Sequence, residues 1–252
     1  MIEKLDWDTR HFGVPMGRFN WSETGQPHTE SVAAATQQAK QLGLKQLMAR
    51  AHPSEMEKIH ALEAGGFRLV DTLVTLTIDL RKNPPPSAKD SSVRTARAQD
   101  LPGLTALAKT AFADRSIWLD RFHADPKIPE GKADALYEEW VRNSVAPASA
   151  AASMADQTFV SEIDGKIAGF LTCVRGSETV YGKVSLNAVD SSFRKRGIYR
   201  AMIDHALAWF LREKSPLVSV RTSIFSHAVQ RAWIRIGAVP SDVEHTFHWW
   251  TD

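Results

Sequence analysis

The chain has 252 residues, of which 43% are hydrophobic and 24% charged, an ordinary composition for a globular protein with ample material for a core. Its formal net charge of +2 is too small to indicate a nucleic-acid-binding protein, so we expect no nucleic-acid partner. A single cysteine, Cys173, excludes an intramolecular disulfide and a cysteine-rich zinc site.

The start of the chain, "MIEKLDWDTR", carries charges from its third residue onward, which is not the pattern of a signal peptide. No run approaches the eighteen or so apolar residues of a membrane span. We therefore expect a cytoplasmic protein without a membrane partner. The sequence leaves a homodimer open.

A proline-rich stretch divides the chain. Three consecutive prolines, Pro84 to Pro86, favour polyproline II and exclude regular hydrogen-bonded structure. We take residues 83–92 as a linker between an N-terminal domain, residues 1–82, and a C-terminal domain, residues 93–252.

Before the linker, "LMARAHPSEMEKIHALEAGGFRLVDTLVTLTI" has the pattern strand, helix, glycine, strand. Ser54 and Glu57 have the spacing of a capping box at the start of that helix. The segment has the same plan as "SVRTSIFSHAVQRAWIRIGAVPSDVEHTFHW" near the end of the chain. Matching Gly66 with Gly237 aligns few identical residues but the same order of elements. The N-terminal domain is therefore predicted to be a degenerate half-copy of the C-terminal fold, without its basic loop.

After the linker, helical and strand patterns alternate, and Asp164-Gly165 has the composition of a two-residue hairpin turn. The fold class predicted from this order is α/β, with a mixed sheet of the α+β kind. The predicted helices are residues 101–112, 132–145, 198–210 and 227–237. The predicted strands are residues 93–100, both arms of a hairpin at 158–174, and residues 183–190, 216–225 and 244–250.

Four cations surround one glycine where the strand ending near Val189 meets the helix beginning near Gly197: Arg194, Lys195, Arg196 and Arg200. Cations are unfavourable at a helix N-terminus unless an anion compensates them, and glycine allows a ligand to approach the backbone closely. The run is either a solvated basic turn or a cradle for several phosphates. The sequence has neither a P-loop nor a dinucleotide-binding glycine motif.

This loop, "RKRGIY", resembles the R/Q-x-x-G-x-G/A loop of the Gcn5-related N-acetyltransferase (GNAT) superfamily. The later "SHAVQRAWIRIGA" resembles the superfamily's N-x-x-A-x-x-x-Y-x-x-x-G-F segment. The resemblance implies a GNAT fold, acetyl-coenzyme A as co-substrate, no metal, and direct transfer of acetyl to a small-molecule amine. The implied coenzyme-binding residues are Ala188, Val189, Arg194, Lys195, Arg196, Gly197, Ile198, Tyr199, Arg200, Ser226 and Trp233.

Further matches, "LDWDTRHFG", "ALYEEWVRNSV" and "RGIYRAMIDHALAW", resemble a two-domain bacterial branch of the superfamily that acetylates the amine of a nucleotide sugar. We therefore take an amino sugar as the acceptor. An antibiotic, an amino acid or a protein N-terminus is the enzymatic alternative. A catalytically silent acyl-coenzyme A-binding scaffold is the non-enzymatic one, because Tyr199 and Trp233 depart from the motifs.

Three side chains are candidate catalytic residues beside a backbone oxyanion donor near Ala188 or Val189. Asn187 faces either the site or the helix layer, and His227 is either functional or a plain helix-start residue. Tyr199 either contacts the coenzyme or simply packs. Trp233 stands where the superfamily has the tyrosine that protonates the thiolate, and we expect it to line the thioester end of the coenzyme tunnel.

Overall fold

A computed structural model describes residues 1–22, 27–87, 90–113 and 119–251, and in these ranges the chain is a mixed α/β protein, as predicted. Residues 88 and 89 of the predicted linker lie outside the described part. The helices are α1 Asp6–Phe12, α2 His28–Gln41, α3 Met56–Ala64, α4 Leu101–Ala113, α5 Glu130–Val145, α6 Ile198–Arg212 and α7 His227–Ile234. The strands are β1 Ile2–Lys4, β2 Met16–Phe19, β3 Gln46–Ala51, β4 Arg68–Asp79, β5 Val93–Thr95, β6 Gln157–Ile163, β7 Lys166–Val174, β8 Gly182–Val189, β9 Leu217–Ser223 and β10 Val239–Trp250.

The chain divides into two compact units. Unit 1 contains residues 1–74, 119–133 and 242–252, and unit 2 contains residues 75–118 and 134–241. These units are groups of contacting residues, whereas the predicted domains are continuous segments, so the domain bounds 1–82 and 93–252 stay a prediction. None of the described helices is long and apolar enough to cross a membrane.

Unit 1 is built on strands in the order β1-β2-β3-β10. β2 and β3 are parallel, and β10 runs antiparallel to β3 with His245–Trp250 opposite Gln46–Ala51. The alternation of side chains along β10 sends Phe247 and Trp249 into the unit's hydrophobic core. It sends Thr246 and His248 to the other face, where both are buried.

Unit 2 has the strand order β9-β8-β7-β6-β5, in which β8 and β9 are parallel and the other pairs antiparallel. The predicted turn between β6 and β7 is confirmed, because Asp164 and Gly165 both have positive φ, 50° and 74°. Helix α6 buries an apolar face that includes Ile198, Met202, Ala206 and Trp209, and it contacts β6, β7 and β8. Cys173 is fully buried in β7 and is therefore a core residue.

The two strand–helix–strand segments have the same order and spacing of elements when Gly66 is matched with Gly237. Their elements then begin at equivalent positions: Gln46 with Leu217, Met56 with His227, and Arg68 with Val239. Their helix ends are also equivalent. Phe67 N–H donates to Leu62 C=O (2.9 Å), and Ala238 N–H donates to Trp233 C=O (3.1 Å). These matches support the half-copy prediction.

The predicted capping box of α3 is wrong. The helix begins at Met56, its N-cap is Glu55, and no side chain caps it. The Ser54 hydroxyl is instead 2.6 Å from His52 Nδ1, and the Glu55 carboxylate accepts a hydrogen bond from the His52 backbone N–H (2.8 Å). Both polar groups are therefore used in the turn that precedes the helix, because such side chains compete for local backbone partners.

Candidate active site

The centre of unit 2 contains a split between two parallel strands. β8 and β9 are paired only at Gly182, Lys183 and Val184, opposite Val218, Ser219 and Val220. β8 continues to Val189 and β9 to Ser223. The backbone of the last five residues of β8 therefore has no ladder partner on its β9 side, where it borders a cleft of about 670 Å³.

A β-bulge in β8 accompanies the split. Leu171 of β7 lies opposite Asn187 and Cys173 lies opposite Val184, so Thr172 alone faces two residues of β8. The buried Thr172 hydroxyl accepts a hydrogen bond from Leu186 N–H (2.9 Å) and donates one to Leu186 C=O (3.2 Å). This side chain replaces the ladder bonds that the bulge removes.

The direction of the β8 backbone identifies a donor for an oxyanion. Asp190 N–H donates to Ala168 C=O (2.9 Å), and residues of an antiparallel pair alternate between facing the partner and facing away. Ala188, two residues earlier, therefore bonds toward β7. The N–H groups of Asn187 and Val189 point away from β7, toward the cleft, so Val189 is the better placed of the two predicted donors.

The basic loop follows β8 directly. Asp190 caps a short 3-10 turn by accepting a hydrogen bond from Ser192 N–H (2.8 Å), and this bond, with the Ser192 hydroxyl, holds the pKa of the Asp190 carboxyl below its usual value. Lys195 and Gly197 then have positive φ, 64° and 80°. A Cβ at Gly197 would meet nothing within 4 Å, so the backbone here is open to a ligand.

Helix α6 begins at this loop with Gly197 as its N-cap and without a side-chain cap. Its first N–H groups and its dipole are therefore available to an anion. The exposed side chains of Arg194, Lys195 and Arg200 border the same cleft, and Arg200 also forms an ion pair with Asp204 (2.9 Å). Arg196 does not border the cleft; its guanidinium lies over the Phe193 ring, 5.3 Å from the centroid.

Helix α7 forms the opposite wall. It begins at His227, as predicted, and Ser226 is buried at its N-cap position. His227 is exposed at the edge of the cleft, with its backbone N–H bonded to Phe225 C=O (2.8 Å). The predicted site residues that border the cleft are Asn187, Ala188, Val189, Arg194, Lys195, Gly197, Ile198, Tyr199, Arg200, Ser226 and His227.

Trp233 lies behind this wall rather than in it. Its side chain is fully buried, and its indole Nε1 donates a hydrogen bond to the Tyr199 hydroxyl (3.0 Å). Tyr199 borders the cleft. Burial raises the pKa of the Tyr199 phenol above its usual value, and the hydrogen bond from Trp233 opposes that rise in part. The phenol is therefore protonated at neutral pH.

Comparison with known proteins agrees with this geometry. The Acetyltransferase (GNAT) family model matches residues 115–236, which include the split strands, the basic loop and helix α7. The chain carries a GNAT-family acetyltransferase domain. The expected superfamily, and with it the expected N-acetyltransferase class, is confirmed, and members of this family use acetyl-coenzyme A.

Other proteins resemble this chain over nearly its whole length. It is 24% identical to an Escherichia coli dTDP-fucosamine acetyltransferase over 249 residues, 98% of this chain and 96% of that protein. A GCN5-related N-acetyltransferase from Sphaerobacter thermophilus has a TM-score of 0.62 at 14% identity, covering 99% of this chain and 76% of its own. A tandem GNAT protein from the clavulanic acid biosynthesis pathway has a TM-score of 0.60 at 13% identity, covering 95% and 77%. The two solved structures support the fold.

Unit 2 has a second cavity, of about 790 Å³, between α4 and the β6–β7 turn. Its wall contains Arg94, whose guanidinium donates to both carboxylate oxygens of Asp100 (2.7 and 2.8 Å) and to Glu162 (2.6 Å). These bonds raise the pKa of Arg94 and lower that of Asp100. The charges of Arg94 and Asp100 thus already have partners within the wall.

Several groups of interacting residues in the described structure were not found from the sequence, and two of them matter for the predictions below. One is Thr172 with Leu186, described above. The other lies in unit 1, where the buried Asp125 carboxylate accepts hydrogen bonds from His248 Nδ1 (2.7 Å) and Trp250 Nε1 (2.8 Å). His245 and His248 lie on opposite faces of β10, because they are three residues apart in a strand. In the described part of the chain, no group of three or more His, Cys, Asp or Glu side chains is placed to hold a metal ion.

Proposed function

We propose that the cleft of unit 2 binds acetyl-coenzyme A and that the enzyme transfers its acetyl group to the amine of a small molecule, an amino sugar carried on a nucleotide. The observation that carries the proposal is the uncapped N-terminus of α6, with Gly197 open to the cleft and Arg194, Lys195 and Arg200 around it. This arrangement suits the pyrophosphate of the coenzyme, because helix-start N–H groups and cations both favour bound phosphate.

The split between β8 and β9 suits the rest of the coenzyme. Between residues 185 and 189, the backbone groups that β8 directs toward its unpaired β9 side offer donors and acceptors to the amide groups of the pantetheine arm. The same edge directs the Val189 N–H toward the oxyanion that forms at the attacked carbonyl. One such donor typically contributes about 3 kcal/mol of transition-state stabilisation.

The enzyme's main contribution to rate is positioning. A neutral amine attacks the thioester carbonyl, a carbon–nitrogen bond forms, the carbon–sulfur bond breaks, and the amine proton passes to solvent or to a base. Holding the two reactants in line removes a large part of the entropic cost of this step. Asn187 borders the cleft beside Val189 and is proposed to orient the reactants.

The amino-sugar acceptor is supported by the likeness to dTDP-fucosamine acetyltransferase along almost the whole chain. The test is incubation of the full chain with acetyl-coenzyme A and a panel of dTDP- and UDP-linked amino sugars, with product detection by mass. Amino acids, aminoglycosides and peptide N-termini complete the panel. An acetylated nucleotide sugar supports the proposal, whereas a product from another class moves the acceptor to that class.

Binding of acetyl-coenzyme A without transfer to any amine would instead indicate an acyl-coenzyme A-binding scaffold. A matched control is the Arg194→Glu variant, which keeps the fold but reverses a charge at the cleft. Its rate of product formation should fall in proportion to its loss of affinity for the coenzyme.

A further inference from the structure

The contact between Trp233 and Tyr199 has a definite hydrogen-bond direction. An indole N–H is a donor only, so at 3.0 Å the phenol oxygen must be the acceptor. The phenol's own hydrogen is then directed elsewhere. Among the residues the structure describes, Tyr199 has no other hydrogen-bond partner, and its side chain borders the coenzyme cleft.

Trp233 is well suited to fix that direction. Its side chain is fully buried, whereas Tyr199 is only partly buried. A tightly packed indole has few alternative rotamers, so the position of its N–H determines where the phenol oxygen sits. The rest of the tyrosine is held by the first turn of α6.

We propose that Tyr199 is the acid of the acetyl transfer and that Trp233 is the residue that positions it. This inference rests on the proposed function. As the carbon–sulfur bond breaks, the phenol O–H donates to the sulfur and gives it a proton, while the amine nitrogen forms the new bond to the carbonyl carbon. The amine releases its surplus proton to solvent, and the phenolate takes one back.

The protonation state of the phenol agrees with this role. An ordinary phenol, with a pKa of about 10, is already protonated at neutral pH, and burial raises the pKa of Tyr199 further, so the hydrogen is present when the thiolate forms. The bond from Trp233 acts in the opposite sense to burial, because it stabilises negative charge on the phenol oxygen. Loss of the indole N–H would therefore make the phenol a weaker acid as well as a less well-placed one.

The other two candidate side chains are less suitable. His227 is exposed at the edge of the cleft, where its proton exchanges freely with water. Asn187 has no proton to give at useful pH. Tyr199 alone of the three combines a held oxygen, an unused hydrogen and a position on the cleft wall.

The experiment measures the thiol pKa of bound coenzyme A, followed by the ultraviolet absorbance of the thiolate as pH is raised. It uses the full chain and needs no acceptor. A hydrogen bond to a charged group is worth about tenfold in an equilibrium constant. We expect Tyr199→Phe to lower the acid dissociation constant of the bound thiol by roughly that factor, with Trp233→Phe giving a smaller change in the same direction. The double variant should equal Tyr199→Phe alone, because Trp233 acts through the tyrosine.

Two controls separate the possible failures. Desulpho-coenzyme A, which lacks the sulfur, should bind all variants equally, and Trp209→Phe, a buried tryptophan on α6 away from the cleft, should leave the thiol pKa unchanged. If wild-type protein binds neither ligand, the proposed function fails. If both bind but the thiol pKa is the same in wild type and Tyr199→Phe, the phenol does not reach the sulfur and this inference is overturned. Additive effects of the two substitutions would overturn the positioning role of Trp233.

Discussion

The hydroxyl of Thr172 bonds to both backbone groups of Leu186, accepting from its N–H at 2.9 Å and donating to its C=O at 3.2 Å. Both residues are buried, so neither backbone group has water as an alternative partner. The pair holds the bulge within the stretch of β8 that borders the cleft. A single hydroxyl thus connects the packing of β7 to the shape of the proposed coenzyme site.

Replacement of this hydroxyl should weaken both stability and binding. Thr172→Val keeps the shape but leaves two buried polar groups without partners, at a cost of about 1–3 kcal/mol for each group in the free energy of unfolding. We expect acetyl-coenzyme A affinity, measured by calorimetry, to fall with it. Thr172→Ser keeps the hydroxyl and is the matched control, which should retain affinity. Equal affinity in wild type and the valine variant would contradict a role for the bulge in the cleft.

The cations of the basic loop should differ in importance. Arg194 borders the cleft, whereas Arg196 lies over Phe193. Arg194→Glu should weaken acetyl-coenzyme A binding by roughly tenfold or more, because a charge-assisted bond to phosphate is lost and a repulsion is added. The loss should be greatest at low salt, where charges are least screened.

Arg196→Glu and Arg212→Glu make the same charge change, the latter at the far end of α6, and serve as controls. Both should bind within about threefold of wild type, since long-range charge effects at the surface are small. Unchanged binding in Arg194→Glu would make the run a solvated basic turn.

The sequence predicted the local parts of this site and missed the long-range ones. The loop was recognisable because its four cations and Gly197 are consecutive or nearly so. The split between β8 and β9 depends on where their pairing stops after Val184, which no local pattern encodes. Thr172 lies in the apolar strand "GFLTCV", where one hydroxyl gives no signal.

Trp233 shows the same limit. Its spacing in the motif identified it as a residue near the candidate site, but the motif did not identify its hydrogen-bond partner. The indole meets Tyr199, 34 positions earlier in the chain, and thereby stands behind the cleft instead of lining it. The partner followed from a hydrogen bond between α6 and α7, which a pattern within either helix does not contain.

Stability should fall on mild acidification because of His248. Burial lowers the pKa of this imidazole, and the nearby Arg121 acts in the same direction, while bonding to Asp125 and the charge of Asp8 oppose them. In the unfolded chain, where a histidine has a pKa of about 6.5, His248 therefore takes up a proton at a higher pH than it does in the folded protein. The unfolded state binds more protons, so the free energy of unfolding decreases between about pH 7.5 and pH 5.5.

Asp125 contributes in a different range. Its burial alone would raise its pKa, but the bonds from His248, Trp250 and the Lys127 backbone outweigh burial and lower it. That contribution is lost only below about pH 4, near the unfolded value for aspartate.

Urea unfolding measured as a function of pH separates the contributions of His248 and Asp125. His248→Asn keeps a donor for Asp125 without a titrating ring and should flatten the slope between pH 7.5 and 5.5, as estimated from the histidine reference value. Replacement of the exposed His60 by Asn should leave that slope unchanged. Equal slopes in wild type, His248→Asn and His60→Asn would exclude His248 as the cause of the pH dependence.

The last prediction tests the proposed domain bounds through the pairing of β10 with β3. His245–Trp250 lie opposite Gln46–Ala51, and Phe247 and Trp249 are buried in the same core as Leu47 and Leu62. A fragment of residues 93–252 contains β10 but lacks every residue of β3. We expect its amides at 245–250 to exchange with solvent as fast as in an unfolded chain, because the strand loses its antiparallel partner and its apolar cover. Addition of a separately made fragment of residues 1–82 should restore their protection. The matched control is a mixture in which the added fragment carries Leu47→Asp. It should not restore protection, because the charge would enter that core. Full protection of β10 in the isolated 93–252 fragment would mean that the C-terminal segment folds independently, and the half-copy would then be an accessory to it rather than a part of its folding unit.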